Sequence, residues 1–136
     1  MADKPHIISI AKIGKPEIGF ISFVEGLAET LPFEIKRVYW TYFTPNEVQR
    51  GGHAHKALKQ LIIAVAGTIT FKTEDVNGHL ETFVLDKPNI GLYIPKKIWR
   101  DIQFSHNAVL LCLASETYTE DDYIREYAEF KKQTND

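Results

Sequence analysis

The sequence has little sulfur, with one cysteine and one methionine among its 136 residues. The single cysteine, Cys112, excludes a disulfide framework within the chain. Its position in the apolar run 109–114 predicts a buried thiol that packs as a small hydrophobic side chain. No apolar run approaches the length of a membrane span, and the N-terminus lacks the hydrophobic segment of a signal peptide. We therefore expect a cytoplasmic protein that has no membrane contact.

A strong net charge is also missing, because 16 basic and 18 acidic residues give −2 at pH 7. This balance argues against a general nucleic-acid binder, although it permits a local cationic pocket for one phosphorylated ligand. The hydrophobic fraction of 44% is typical of a globular protein. The length predicts a single domain over residues 1–136 with a core of its own.

Short β-like runs with turn signals between them dominate the pattern. The sequence Asp75-Val-Asn-Gly78 is typical of a hairpin connection. Such a density of short strands predicts an all-β sandwich or barrel rather than βαβ units. The predicted strands cover residues 6–10, 18–24, 35–43, 60–66, 68–73, 80–85, 91–94, 99–104 and 109–114.

The C-terminal tail has a different pattern. Thr119 is a candidate N-cap, and three acidic residues follow it, as in the first turn of a helix. Tyr123, Tyr127 and Phe130 then fall at i, i+4 and i+7, which places them on one helical face. We predict a short C-terminal helix whose aromatic face packs against the body or a partner subunit. A ligand contact from Tyr123 is the less favoured alternative.

The most informative residues are His53 and His55, which immediately precede an apolar run, 61–66, that ends at Gly67. Residues i and i+2 of a strand project from the same face, so the two imidazoles are expected to point into one place. The run 61–66 is predicted to be a buried strand. A pair of hydrogen-bonded core histidines, without a functional role, is the structural alternative.

The spacing His-x-His-x4-Gln-x6-Gly from His53 to Gly67 resembles the first signature of the cupin superfamily. A degraded second signature follows, with Gly91, Pro95 and Arg100. The resemblance implies an all-β cupin, a double-stranded β-helix jelly roll. In metal-binding cupins a glutamate stands where this chain has Gln60, and a third histidine stands where it has Arg100.

These two replacements argue against a metal centre. Glutamine is a weak neutral ligand, while arginine has no lone pair to donate and carries a permanent positive charge. We therefore expect no metal and no cofactor, and a metal-dependent cupin oxygenase or isomerase is a minor alternative. Histidines in such a cavity can accept and return protons near neutral pH.

Several segments narrow the resemblance to the sugar-nucleotide 3,4-ketoisomerases, which act on dTDP-4-oxo-6-deoxyglucose. They are residues 35–39, Arg50-Gly-Gly-His-Ala-His-Lys56, 91–95, 99–101, 113–115, 122–127 and 130–131. The resemblance implies a metal-free isomerase of deoxysugar biosynthesis for surface polysaccharides, usually a homodimer. It extends residue by residue to Arg37, Tyr39, Arg50, His53, His55 and Arg100.

The implied reaction moves the keto group of the dTDP-linked 4-oxo-6-deoxyhexose from C4 to C3 through an enediolate. We assign proton transfer to His53 and His55, with His55 favoured as the more critical carrier, and a hydrogen bond to a sugar oxygen to Tyr39. Cationic residues would bind the diphosphate or stabilise an enolate, and aromatic ones, including Tyr39 and Tyr93, would stack on the base or sugar. The predicted substrate-binding residues are Arg37, Arg50, Lys56, Trp99, Arg100 and Asp101, although strand alternation turns Lys56 to the face opposite His55.

Two other functions use the same residues. One is a dTDP-sugar 3,5-epimerase-like cupin, which would leave the ketone at C4. The other is a non-catalytic sugar-nucleotide-binding cupin, which has no need of two converging histidines. The sequence leaves open the stereochemistry at C4 of the product and the preference for thymine over another base.

Overall fold

The computed structural model describes residues 3–27 and 31–135. Within these ranges no helix is long and apolar enough to span a membrane. Nearly all of the regular structure is β, and it ends in one short α-helix, α1, at Tyr127–Phe130. The strands are β1 His6–Ser9, β2 Ile13–Lys15, β3 Gly19–Ile21, β4 Arg37–Tyr42, β5 Gln49–His55, β6 Gln60–Ala66, β7 Ile69–Glu74, β8 Leu80–Leu85, β9 Ile90–Ile94, β10 Trp99–Phe104, β11 Val109–Ala114 and β12 Tyr123–Ile124.

Two five-stranded antiparallel sheets form the body. The first has the order β1-β9-β6-β11-β4, and the second has the order β12-β5-β10-β7-β8. Strands β2 and β3 pair with each other as a separate ribbon. Consecutive strands β4 to β7 alternate between the two sheets, as do β8 to β11, which is the winding of a jelly roll. The predicted cupin fold is confirmed.

The main core lies between the facing sheets and includes Ile62, Phe71, Leu92 and Phe104. The outer face of the first sheet is also covered, by a second cluster that includes Leu61 and Tyr93. Because β6 is covered on both faces, its residues from Gln60 to Ala64 are buried, which an uninterrupted apolar run predicts. The prediction is wrong at its C-terminal end, where Val65 is 43% exposed.

The strand predictions for 60–66, 80–85, 99–104 and 109–114 match the structure at both ends. The segment 75–78 connects the antiparallel strands β7 and β8, as predicted. The sequence pattern missed β2, whose three exposed residues Ile13–Lys15 carry no alternation of burial. It also predicted a strand over 18–24, of which only Gly19–Ile21 is paired.

The tail differs from its predicted form. A single 3-10 turn covers Glu120–Asp122 and is followed by β12, so the helix that was expected to begin after Thr119 does not continue. Tyr123 pairs with His55 across the two strands, which places it in the second sheet rather than on a helical face with Tyr127 and Phe130. Pairing with the edge of β5 satisfies backbone groups that a longer helix would have satisfied internally.

A β-bulge in β5 sets the direction of the histidines. Arg100 pairs with His53 and Asp101 pairs with Gly51, so Gly52 is an extra residue in the ladder between β10 and β5. Without it, side chains three positions apart would face opposite sides of the sheet. With it, Arg50 and His53 line the same interior. Gly51 and Gly52 have φ values of +86° and +67°, a left-handed region that glycine occupies without strain.

We expect Gly51→Ala to be more destabilising than Gly52→Ala. Both changes put a side chain on a left-handed residue, at a cost of about 1 kcal/mol or more in the free energy of unfolding. A Cβ at Gly51 would also lie 2.7 Å from the carbonyl oxygen of Arg100, whereas a Cβ at Gly52 would meet nothing within 4 Å. Urea unfolding of both variants measures the difference, and equal losses would contradict the role of this close approach.

Candidate active site

A cavity of about 140 Å³ lies between the two sheets. Strands from both sheets contribute to its wall, which is why polar residues far apart in the chain meet there. The lining residues with functional side chains are Tyr39, Arg50, His53, Gln60, Arg100 and Tyr123.

The two histidines converge as the sequence predicted. The ring centroids of His53 and His55 are 4.9 Å apart, and the rings are nearly perpendicular, with an interplanar angle of 83°. Tyr123 packs against both, at 5.1 Å from His53 and 4.5 Å from His55. The surroundings differ, because His53 lines the cavity while His55 is only 1% exposed.

Asp122 fixes the orientation of His55. Its Oδ2 lies 3.0 Å from the Nδ1 atom of His55, and its Oδ1 accepts a hydrogen bond of 2.8 Å from the backbone N–H of Ala57. Because a carboxylate only accepts, the proton of the neutral imidazole is held on Nδ1. Nε2 of His55 is therefore the nitrogen whose lone pair is available to accept a proton.

Arg100 is the largest fully buried side chain of the described residues. Its Nε and Nη2 donate to the carbonyl oxygen of Ile98 at 3.2 and 3.1 Å, and its Nη1 donates to Oε1 of Gln60 at 2.5 Å. These bonds use three of the five N–H groups of a guanidinium, and every acceptor is neutral. Burial lowers the pKa of Arg100 to about 10, so the group stays cationic at neutral pH.

The buried cation shapes the titration of the histidines. Burial, followed by the positive charge of Arg100, lowers the pKa of His53 to about 4. The same two causes lower the pKa of His55 to about 2, with a further contribution from His53. Both imidazoles are therefore neutral at pH 7, in the state that accepts protons.

Tyr39 completes the polar wall of the cavity. Its hydroxyl oxygen accepts a hydrogen bond of 2.9 Å from Nε2 of Gln60. Burial and the neighbouring Cys112 raise the pKa of Tyr39 above its usual value, so the phenol keeps its proton. A buried phenol that stays protonated can donate a hydrogen bond to a substrate oxygen.

Two other predicted cationic residues, Arg50 and Arg37, lie in the cavity wall or beside it. Arg50 is exposed and lines the cavity. The guanidinium of Arg37 lies 5.3 Å from the ring centroid of Tyr39 and 5.7 Å from that of Tyr118, and its Nε is buried without a hydrogen-bond partner. An unpaired buried donor beside a cavity is available to a ligand oxygen.

Three other predicted positions lie outside the cavity. Trp99 and Asp101 alternate with Arg100 along β10, so the strand pleat turns them to the outer face of the second sheet. There Trp99 packs against Tyr127 and Phe130, and Asp101 lies beside Thr70 and Lys72. Trp99 and Asp101 therefore do not line this cavity, and their substrate-binding roles stay predictions.

Lys56 is exposed and does not line the cavity, so its contact with substrate stays a prediction. Tyr93, a predicted stacking residue, is buried in the cluster on the outer face of the first sheet. Its hydroxyl donates to Asp3, and its ring lies 5.3 Å from that of His6. Arg100 lines the cavity but is only 1% exposed, a position that suits a reacting sugar oxygen better than a diphosphate.

Sequence reasoning missed Asp122 and undervalued Tyr123. Both lie in the tail segment that matched the family motif, but a helical periodicity was assigned to them. One signal in the sequence could have identified Asp122. A histidine that transfers protons needs a group that orients its ring, and Asp122 is a carboxylate in a segment that matches the family.

The residues present do not fit a metal centre. Within residues 3–27 and 31–135 no group of three or more His, Cys, Asp or Glu side chains is placed to hold an ion. The guanidinium of Arg100, a permanent donor, points at Gln60 beside the two imidazoles.

We expect acid to destabilise the protein through its buried histidines. A histidine whose folded pKa is depressed stabilises the fold above the unfolded pKa of 6.5, and this contribution is lost as pH falls toward the folded value of about 4 for His53. Between pH 6.5 and pH 4 the free energy of unfolding falls in both proteins. We expect the fall to be smaller in His53→Asn than in the wild type, by about 3 kcal/mol. Urea unfolding at several pH values measures this, with the exposed His79→Asn as the matched control. An unchanged pH dependence in His53→Asn would contradict the neutral, buried state of the ring.

Comparisons with known proteins identify the family. Residues 3–135 match the family model described as "FdtA: WxcM-like, C-terminal". The chain is 41% identical over 105 residues to TDP-4-oxo-6-deoxy-alpha-D-glucose-3,4-oxoisomerase of Aneurinibacillus thermoaerophilus. The match covers 76% of this chain and 75% of that protein.

Solved structures agree with this match. A 3,4-ketoisomerase from Helicobacter canadensis is 38% identical, with a TM-score of 0.89, and the match covers 97% of this chain and 98% of that one. A histidine-to-asparagine mutant of the 3,4-ketoisomerase from Thermoanaerobacterium thermosaccharolyticum, solved with TDP-4-keto-6-deoxyglucose, is 33% identical, with a TM-score of 0.88 over 96% of this chain and 94% of that one. Together with the fold and the histidine cavity, these matches confirm the resemblance noted in the sequence, and the chain belongs to the FdtA, WxcM-like family of sugar-nucleotide 3,4-ketoisomerases.

Proposed function

We propose that this protein moves the keto group of dTDP-4-oxo-6-deoxyglucose from C4 to C3 by proton transfer between histidines. The observation that carries the proposal is the convergence of two neutral imidazoles on a cavity that also contains a buried cation without an anionic partner. The relative from Aneurinibacillus thermoaerophilus is named for this sugar nucleotide, and the mutant from Thermoanaerobacterium thermosaccharolyticum was solved with it, which supports this choice of substrate.

The charge distribution of the cavity suggests how the substrate lies. Arg50, which is exposed and lines the cavity, is suited to the diphosphate, because guanidinium groups bind phosphate oxygens through several N–H donors. The unpaired Nε of Arg37, beside Tyr39, is a further donor for a ligand oxygen. The sugar then extends inward toward His53 and Arg100. This direction puts the uncharged sugar, and not the diphosphate, in the least solvated part of the cavity.

The first step removes the proton at C3, which the neighbouring C4 ketone makes acidic. We assign this step to His53, because it lines the cavity and its pKa is less depressed than that of His55. The electron pair moves into a C3–C4 double bond, and negative charge develops on the C4 oxygen. Arg100 stabilises that charge, since a fixed donor in a buried site needs no reorganisation as the charge appears.

The second step exchanges the hydroxyl proton. His55 takes the proton from the C3 oxygen at Nε2 and gives it to the C4 oxygen, while Asp122 stabilises the transient imidazolium. The protonated His53 then returns its proton to C4, the double bond collapses, and a ketone forms at C3. Every proton taken is returned, so the enzyme leaves the cycle unchanged and requires no redox cofactor.

We also propose a homodimer in the cytoplasm, acting on a nucleotide sugar and not on a nucleic acid or membrane. The outer face of β4 supports the dimer, because Val38, Trp40 and Tyr42 are 47%, 61% and 64% exposed. Exposed aromatic groups in a row are typical of surfaces that pair with another subunit.

The assignment of the two histidines can be tested by separating C3 exchange from ketone transfer. Each of His53→Asn and His55→Asn is incubated with dTDP-4-oxo-6-deoxyglucose in heavy water, and NMR follows deuterium at C3 and the position of the ketone. We expect His53→Asn to lose both signals by about 10²-fold or more, and His55→Asn to lose ketone transfer while C3 exchange persists. The reverse pattern would assign the C3 base to His55. A wild-type product with the ketone still at C4 and an inverted C3 or C5 would identify an epimerase instead.

Asp122→Asn should reduce ketone transfer by reversing the tautomer of His55. The backbone N–H of Ala57 requires an oxygen at the nearer position, so the introduced amide must turn its NH2 group toward Nδ1 of His55. Nδ1 then becomes the acceptor, and the proton moves to Nε2, which can no longer accept one. We expect a loss of about 10²–10⁴-fold in kcat with little change in the C3 exchange rate. Asp121→Asn, at the exposed neighbouring position, is the matched control, and equal activity of Asp122→Asn and wild type would rule out this function of the carboxylate.

A further inference from the structure

Gln60 connects two groups of the cavity that do not contact each other directly. It begins β6 in the middle of the first sheet, and it is 2% exposed. Its Oε1 accepts from Arg100 at 2.5 Å, and its Nε2 donates to the hydroxyl oxygen of Tyr39 at 2.9 Å. A buried amide with both ends bonded is held in one orientation.

The direction of this chain of hydrogen bonds is set by Arg100. A guanidinium has no acceptor, so the atom of Gln60 that faces it must be the carbonyl oxygen. The NH2 group then faces Tyr39, and the phenol oxygen must accept. Since Arg100 is itself fixed by two bonds to Ile98, neither the amide nor its polarity can reverse.

A phenol that accepts from Gln60 must direct its own proton elsewhere. Without substrate its partner is Sγ of Cys112, a weak acceptor that is hydrogen-bonded to the hydroxyl of Tyr39 and lies 3.4 Å from Nε2 of Gln60. Cys112 does not line the cavity, whereas Tyr39 does. A sugar oxygen in the cavity is a stronger acceptor than a thiol, so it would receive the proton of the phenol.

We propose that Gln60 is a positioning residue. It orients the hydroxyl of Tyr39 so that the phenol donates a hydrogen bond to a substrate oxygen at the reacting carbons. It acts through Tyr39 and has no contact with substrate of its own. The inference rests on the proposed ketoisomerase function for the identity of the sugar. It assigns a purpose to the glutamine that stands where metal-binding cupins have a glutamate.

The test is Gln60→Glu, which keeps the size and shape of the side chain but replaces the NH2 donor by an acceptor. The carboxylate still accepts from Arg100, so the buried cation keeps a partner. Its second oxygen now accepts from the hydroxyl of Tyr39, which turns the phenol proton away from the cavity. We expect kcat to fall by about 10- to 100-fold, the range for losing one oriented donor, with a smaller change in KM.

A double-mutant cycle with Tyr39→Phe separates positioning from a general effect of the added charge. If Gln60 acts through the phenol, Gln60→Glu should reduce kcat by less than about threefold in the Tyr39→Phe background. A loss of the same factor in both backgrounds, or no loss in the wild-type background, would overturn the inference. Gln133→Glu supplies the same charge change outside the cavity, and thermal unfolding verifies that each variant is folded.

A binding measurement keeps this test independent of the proposed function. The ratio of the affinities for dTDP-4-oxo-6-deoxyglucose and dTDP reports on contacts made by the sugar alone. We expect Gln60→Glu and Tyr39→Phe to lower this ratio by the same factor. If the wild type failed to move the ketone, the proposed function would fall. The ratio would still decide the inference, because an unchanged value in Gln60→Glu would exclude a donor function for Tyr39.

Discussion

The fold and the chemistry of this protein meet in the buried guanidinium of Arg100, which bonds only to neutral oxygens. A buried cation is ordinarily paired with a carboxylate, because the unpaired charge costs several kcal/mol. Here a backbone carbonyl and the amide of Gln60 hold it, so its positive charge is solvated by dipoles but not cancelled. The cavity therefore has a standing affinity for negative charge. An enediolate supplies that charge at the stage of the reaction where stabilisation accelerates it.

The same charge determines the state of the bases. Burial and Arg100 together keep His53 and His55 neutral, and Asp122 holds the proton of His55 on Nδ1. A cavity with a metal ion would use that ion to stabilise the anion and the histidines to bind it. In the mechanism proposed for this chain, the guanidinium stabilises the anion and the histidines carry the protons. The presence of arginine at position 100, where metal-binding cupins have a third histidine, thus changes the use of three side chains, Arg100, His53 and His55.

The sequence predicted correctly which side chains point into the cavity only where residues alternate regularly between the two faces of a strand. His53 and His55 follow it, and so do the inward Arg100 and the outward Lys56. Trp99 and Asp101 were predicted from a motif as a block, although a strand cannot present three consecutive side chains to one cavity. The bulge at Gly52, which brings Arg50 and His53 to the same interior, is a feature of pairing between β5 and β10 that a pattern along one strand does not contain. Asp122 and Tyr123 were missed for a related reason, since their place depends on β12 pairing with β5 across more than 60 residues of sequence.

The measurement that tests this account most directly is an NMR titration of the imidazoles of His53 and His55 in the wild-type protein without substrate. The account predicts that both rings are neutral near pH 5.5, a unit below the ordinary histidine pKa of 6.5, and that removing the charge with Arg100→Met raises the pKa of each. Protonation of either ring near pH 5.5, or pKa values that do not respond to Arg100→Met, would contradict the claim that an uncancelled buried guanidinium governs the cavity.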